Sequence, residues 1–192
     1  IGSGTGLLSL MLAQKSKALI SAVEIQREMA ELCQYNFRCS PWNKRLNCIH
    51  QSIQQYQTDI KYDLIVCNPP FFFSQSQRKS KEKSTAMHNE DLSLKDLLKA
   101  VDKLLLPEGS FYVLFPPETL QKFRLLARRH GLFLQNQLTI YHASQKPVLR
   151  IAARFKREKS HNTITEKLII RNPDNSYSDA YRKLLRDYLI IF

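Results

Sequence analysis

The sequence predicts an α/β fold built on a doubly wound, mostly parallel sheet that ends in an antiparallel hairpin. Three observations carry this. Short apolar runs alternate with segments of helical periodicity. The run Tyr62 to Cys67 is of the continuous apolar type found in strands covered on both faces. A glycine turn, Gly2-Ser3-Gly4-Thr5-Gly6, leads directly into a helical pattern, as in a nucleotide-binding crossover. Such a turn follows a buried strand, so Ile1 is expected to be that strand's last residue, with the rest of the strand upstream. The 192 residues, 43% of them hydrophobic, suffice for one core, and a single domain over 1–192, truncated at its N-terminus, is expected.

In chain order, a helix from Thr5 carries Leu7, Leu8, Met11 and Leu12, and Ala18 to Glu24 reads as a short buried strand. Gln26 to Arg38 is the next helix and Leu46 to His50 the next strand. The strand Tyr62 to Cys67 ends at Asn68, and the stretch Ser74 to Asp91 that follows is polar and without apolar periodicity. Ser93 is placed to cap a helix with Leu94, Leu97, Leu98, Val101, Leu104 and Leu105 on its buried stripe, closed by Pro107 and Gly109. Ser110 to Phe115 is a strand, Glu118 to His130 a helix, and Phe133 to Tyr141 with Val148 to Phe155 a hairpin. A last strand, Lys167 to Ile170, passes through the turn residues Asn172-Pro173-Asp174-Asn175 to a helix from Ser178 to about Ile190.

No run of apolar residues is long enough for a membrane span, and the first residues lack the pattern of a signal peptide. A soluble, cytoplasmic protein without a membrane partner is expected, and a monomer. Cys33, Cys39, Cys48 and Cys67 show no Cys-x-x-Cys pair and no histidine at finger-like spacing, so no metal is expected. Lys and Arg outnumber Asp and Glu by 29 to 17, a net charge of +12. That excess suits a phosphate-rich partner; the alternative is a basic surface kept for solubility.

Gly2, Gly4 and Gly6, with Ser3, let the backbone turn sharply and approach a ligand at the following helix. Alone the turn is ambiguous. Glu24, eighteen positions beyond Gly6 at the end of the next strand, is placed to accept hydrogen bonds from both hydroxyls of a ribose, with Ile25 beside it. Its alternative role is that of an acid at a helix start. The spacing Gly-x-Gly-x-Gly departs from the dinucleotide pattern Gly-x-Gly-x-x-Gly and favours S-adenosyl-L-methionine. Ser52 and Ile53, after the strand at Leu46, fall where the cofactor's adenine is expected; Ile53 packs on that ring or belongs to the core.

Asn68-Pro69-Pro70-Phe71 is the most specific signal. An exocyclic amine on an aromatic base is a poor nucleophile because its lone pair is delocalised. If the Asn68 side-chain oxygen and the Pro69 carbonyl accept its two hydrogens, the nitrogen is steered toward a tetrahedral geometry. Consecutive prolines hold those carbonyls without competing N–H donors, and Phe71 offers a ring for the base to stack on. Asn68 is also expected to touch the cofactor. The alternative is a simple turn after a strand.

Arg78, Lys79, Lys81 and Lys83 follow the motif and are candidates for contact with substrate phosphates, as is His88 in the same stretch. Arg124, Arg128, Arg129, Arg150, Arg154, Lys156, Arg157 and Lys159 are candidates for a second phosphate-contacting surface.

With these residues in view, the chain resembles the Rossmann-like class I N-methyltransferases whose signature is Asn/Asp-Pro-Pro-Tyr/Phe. More narrowly it is similar to the bacterial tRNA1(Val) adenine-N6 methyltransferase family, on Pro41-Trp42, on Ile53-Gln54-Gln55-Tyr56, and on the tail from Leu168 through Arg171-Asn172-Pro173-Asp174-Asn175-Ser176-Tyr177 to Tyr181. The resemblance implies methylation of an exocyclic adenine N6 in tRNA, at the adenosine beside the anticodon of a valine tRNA. The chain departs from that family at Ser52, where an acid is usual, and at Met87 in Ala86-Met87-His88, where arginine is usual. Methylation of a glutamine amide in a protein or of adenine in rRNA or DNA, and a non-catalytic RNA-binding module, are the alternatives.

Overall fold

The structure is a computed structural model that describes residues 1–69, 92–160 and 162–191. The polar stretch Ser74 to Asp91 lies outside them. Among the described residues, five α-helices, one 3-10 turn (Asn43–Arg45) and seven strands form, the helices and strands in the order α1 (Leu7–Lys15), β1 (Ile20–Glu24), α2 (Arg27–Cys39), β2 (Leu46–His50), β3 (Tyr62–Cys67), α3 (Leu94–Leu104), β4 (Leu105–Phe115), α4 (Pro117–Arg129), β5 (Phe133–Ala143), β6 (Val148–Lys156), β7 (Ile164–Arg171) and α5 (Asp179–Leu185).

The strands form two hydrogen-bonded sheets. In one, β1 pairs with β2 in parallel; in the other the order is β3-β4-β6-β5-β7. There β3 and β4 are parallel, β6 runs antiparallel to both β4 and β5, and β7 lies parallel to β5. The expected hairpin is β5–β6, and the sheet is divided between β1 and β3, at the place expected for the strand that ends at Ile1. The first residues span that interval: Ile1 N donates to the Val66 carbonyl at 2.8 Å, while Gly2 N and Ser3 N donate to the Val23 carbonyl at 2.9 and 3.2 Å. The glycine turn is thereby tied to the C-terminal ends of β1 and β3.

Three other details differ from expectation. In α1 the first two leucines do not belong to the buried face: Leu7 is 63% and Leu8 43% exposed, whereas Ser9 and Ala13 are buried and Leu10 packs against the core beside them. The helix starts at Leu7, two residues after the expected start at Thr5, and small residues at i and i+4 face inward. Strand β4 begins at Leu105, immediately after α3, so Pro107 and Gly109 do not close a helix. Its ladder with β3 passes from Tyr62↔Leu105 to Leu64↔Ser110, leaving Leu106 to Gly109 in an irregularity where a proline lacking N–H is tolerated. Helix α5 ends at Leu185, and the residues after it turn back to α1, where Asp187 pairs with Lys15.

The larger core lies where α3 and α4 cover β3, β4 and β6. Leu97, Leu98 and Val101 lie on the stripe the sequence predicts, and Ser93 caps α3 by accepting from Asp96 N at 3.1 Å. Phe123 of α4 sits 5.1 Å from Phe115 and edge-on to Phe155 at 5.3 Å, ring centre to ring centre. A smaller core joins α2 to β1 and β2 through Ala22, Ala30, Cys33, Phe37 and Cys48. Arg45 fastens the end of α1 to it, donating to the Ala13 and Ala18 carbonyls at 3.0 and 2.9 Å.

Candidate active site

The C-terminal ends of β1, β2 and β3 converge on one edge, where a parallel sheet places its ligands. Glu24, the last residue of β1, is only 6% exposed and has no cation against it among the described residues. Two backbone amides compensate instead: Gly4 N donates to Oε2 at 2.7 Å and Gln26 N to Oε1 at 3.0 Å. The β1 end is clamped to β2 by Gln51 N donating to the Glu24 carbonyl at 2.9 Å. A carboxylate offers about four acceptor positions, so a second pair is left for ligand hydroxyls. The helix-start role that the sequence also allowed for Glu24 is real, since Gln26 precedes α2, but it engages one oxygen only.

Two glycines of the turn are needed for different reasons. Gly4 adopts φ +53° and a Cβ there would meet nothing within 4 Å, so bare backbone borders open space. Gly6 adopts φ +86°, and a Cβ would lie 2.6 Å from Phe37 Cε1 and 2.8 Å from Cys33 Sγ. That contact lets α1 start directly against α2. Gly6→Ala combines a left-handed backbone with overpacking, and a loss of about 2–4 kcal/mol is expected in urea unfolding. A midpoint equal to that of the wild type would show that the turn has room to relax.

Asn68 follows β3 and is exposed, while Pro69 is fully buried. The motif therefore has a buried anchor and an available amide, two residues beyond the Val66 carbonyl that holds Ile1. Cys67, the last residue of β3, is buried, and burial pushes its thiol up to about 11. Cys33, beneath the turn, is pushed to about 12, first by burial and then by its hydrogen bond with Cys48. Both stay protonated near neutrality and do not compete as thiolates for an electrophilic methyl group.

Other candidates are placed less uniformly. Ile53 is 8% exposed and belongs to the larger core, whereas Ile25, beside Glu24, is 37% exposed. Ser52 Oγ accepts from Gln55 N at 3.3 Å and so caps the turn after β2. Ser3 Oγ lies 3.8 Å from Cys33 Sγ. Arg157 is committed to Asp102, donating to its Oδ1 at 2.8 Å, and Arg154 donates to Ser110 Oγ at 3.2 Å. Pro70, Phe71, Arg78, Lys79, Lys81, Lys83, Met87 and His88 lie outside the described residues. Sequence reasoning missed the packing of Cys33 and Phe37 under Gly6, although their i, i+3, i+7 spacing with Ala30 marks the buried face of α2. Among the described residues no group of three or more His, Cys, Asp or Glu side chains could hold a metal ion, and no helix is long and apolar enough to cross a membrane.

The site fits S-adenosyl-L-methionine: the open Gly4 backbone and the spare acceptor positions of Glu24 match a nucleoside with two ribose hydroxyls. An exposed amide past the neighbouring strand and a reversed strand late in the sheet complete the arrangement of a class I S-adenosylmethionine-dependent methyltransferase. Solved structures share this fold, among them the ribosomal protein L11 methylase of Lactobacillus delbrueckii subsp. bulgaricus (TM-score 0.57, 18% identity, 82% of this chain and 67% of that one). A TehB-like methyltransferase of Corynebacterium glutamicum is similar (TM-score 0.55, 15% identity, 82% and 77%). The family profile described as "Methyltransferase small domain" matches residues 1–118.

Sequence relatives extend the likeness over the rest. A tRNA1(Val) (adenine(37)-N6)-methyltransferase of Dyadobacter fermentans is 38% identical over 196 residues, covering 100% of this chain and 82% of its own. Those of Bacteroides fragilis and Shewanella baltica are 36% and 35% identical, each over 99% of this chain and 81% and 82% of their own lengths. The chain belongs to the tRNA1(Val) (adenine(37)-N6)-methyltransferase family.

Proposed function

We propose that the chain methylates the exocyclic N6 of an adenosine in tRNA, the one next to the anticodon of a valine tRNA. The observation that carries this is the position of Asn68, exposed one strand away from Glu24 and joined to the glycine turn through Ile1 and Val66. The full-length relatives and the net charge of +12 support tRNA as the substrate.

Glu24 accepts the ribose hydroxyls, Gly2, Ser3, Gly4 and Gly6 line the approach to the methionine part, and Ile25 covers the nucleoside, with Ser52 and Ile53 at the adenine end. When bound there, S-adenosyl-L-methionine supplies a methyl group on a positively charged sulfur. Asn68 Oδ1 and the Pro69 carbonyl accept hydrogen bonds from the two N6 hydrogens and draw the nitrogen toward a tetrahedral geometry, which takes its lone pair out of conjugation with the ring, and the proton lost on methylation passes to solvent. Pro69, locked in the core, keeps that acceptor pair from drifting. Phe71 provides the stacking partner for a base drawn out of its own strand. Arg78, Lys79, Lys81, Lys83 and His88 meet the phosphates around it.

The test is incubation with labelled S-adenosylmethionine and, separately, tRNA, DNA or protein, followed by digestion to nucleosides or amino acids. The label is expected in N6-methyladenosine from tRNA. Label confined to glutamine or to DNA overturns the reading.

A further inference from the structure

The turn after β7 takes no part in the chemistry above, yet it is densely built. Asn175 adopts φ 66°, Asn172 Nδ2 donates to Ser176 Oγ at 3.0 Å, Ser176 N donates to Asp174 Oδ1 at 3.0 Å, and Ser178 N returns to the Ile170 carbonyl at 2.9 Å. This scaffolding presents a stack. The Arg171 guanidinium lies 4.0 Å from the centre of the Tyr177 ring, and the rings of Tyr177 and Tyr181 are 5.3 Å apart with 18° between their planes. Arg171 is held further by Nη1 donating to the Asn175 carbonyl at 2.6 Å. Earlier on β7 the same chemistry recurs, with Lys167 Nζ 4.7 Å from the centre of the Tyr141 ring.

The sheet register unites these groups. The pairs Thr139↔Lys167, Tyr141↔Ile169 and Ala143↔Arg171 alternate along β5 and β7, so Tyr141, Lys167 and Arg171 share one face. Strand β6 reverses direction between β4 and β5, which leaves β5 and β7 running the same way as β3. Asn68 and Arg171, each at the end of its strand, therefore stand on one edge of the sheet. None of Tyr141, Tyr177 and Tyr181 belongs to either core, and all three retain solvent-facing surface. The nearby carboxylate of Asp174 is committed to Ser176, whose Oγ also donates to it at 2.6 Å.

We propose that this face of the β5–β7 edge docks the RNA strand flanking the methylated adenosine. Unpaired bases extend the stack that Tyr177 forms with Arg171 and Tyr181 and pack on the Tyr141 ring, and Lys167 and Arg171 meet phosphates. Paired cations and flat rings suit a single-stranded nucleic acid, whose bases have faces and whose backbone is anionic; an acidic peptide offers only the charge. The inference rests on the tRNA reading above.

The experiment compares the full chain with two double variants, Tyr141→Leu/Lys167→Gln and Arg171→Gln/Tyr177→Leu, the first of which leaves the turn untouched should the second not fold. The KM for tRNA is expected to rise about 10-fold or more, consistent with lost base stacking. The slope of log affinity against log salt is expected to shrink by about 0.7–0.9 for each cation removed. S-adenosylmethionine affinity and kcat at saturating tRNA stay near wild type. Folded variants with wild-type KM and salt slope overturn the docking surface alone. A wild-type chain that leaves tRNA unmethylated overturns the tRNA reading and this surface with it.

Discussion

Asn68→Ala is expected to lower the rate of methyl transfer about 10²–10³-fold while S-adenosylmethionine still binds close to wild-type affinity. Asn68 is exposed at the end of β3, and its neighbours are held independently of its side chain: Cys67 and Pro69 are buried, and Val66 is tied to Ile1. Truncation therefore removes one of two acceptors for the amine without releasing the backbone that carries the other. The remaining Pro69 carbonyl cannot by itself turn the nitrogen lone pair toward the methyl group. Calorimetry of cofactor binding and single-turnover methylation read the two quantities separately. Parallel loss of both would show that Asn68 supports the site's structure or its cofactor contacts instead of the substrate amine. Asn68→Asp sharpens the test, because a carboxylate keeps two acceptor oxygens and is the other residue found at this place in the signature. Partial rescue by Asp and none by Ala is the expected pattern.

Much of the fold was legible because its determinants are local. Strands β2 and β3 begin and end where the apolar runs Leu46 to His50 and Tyr62 to Cys67 do, and Ser93 caps α3 as its residue type and position indicate. The hairpin β5–β6 was visible as two apolar segments separated by a short polar turn. The features that escaped depend on contacts distant in sequence. Nothing in Leu7 and Leu8 announces that Ser9 and Ala13 will face β1, because the phase of α1 is set where Gly6 meets Cys33 and Phe37 of another helix. The division of the sheet was legible, because a glycine turn follows a buried strand and Ile1 lies, as that reading requires, between β1 and β3. At the site, the spacing of Gly6 and Glu24 marked a glycine turn and a strand end, which the structure brings within hydrogen-bond distance of each other. Pairing Glu24 with Gly4 N and Gln26 N could not be read from spacing, because it requires the strand end and the turn in three dimensions. Ile53 was legible only as an apolar residue near the adenine end, and its burial in the larger core came from packing against elements far along the chain.

Glu24→Gln is expected to weaken S-adenosylmethionine binding about 10²-fold, equivalent to about 3 kcal/mol, with kcat at saturating cofactor little changed. The substitution conserves shape, so its effect comes from charge and donor count. In the native site both carboxylate oxygens already accept a backbone N–H, from Gly4 and from Gln26. A Gln side chain must set its NH2 group against one of these donors, leaving that N–H unpaired in a site where Glu24 is 6% exposed. The remaining oxygen is neutral and has too few acceptor positions to serve both its own N–H and two ribose hydroxyls. Affinity therefore falls through weaker acceptance and through loosening of the Gly4 turn, and the two contributions separate by measurement. Unfolding in urea without ligand reports the turn alone, whereas the added protection conferred by saturating cofactor reports the ribose contacts. If Glu24 were only the acid that starts α2, the variant would lose stability in the absence of ligand and retain its cofactor affinity. Such a result would leave Gly4 and Ile25 to hold the nucleoside without an acidic anchor. The contrast with Asn68→Ala, which spares affinity and removes rate, then assigns the two ends of the site: β1 holds the cofactor, and the end of β3 holds the amine.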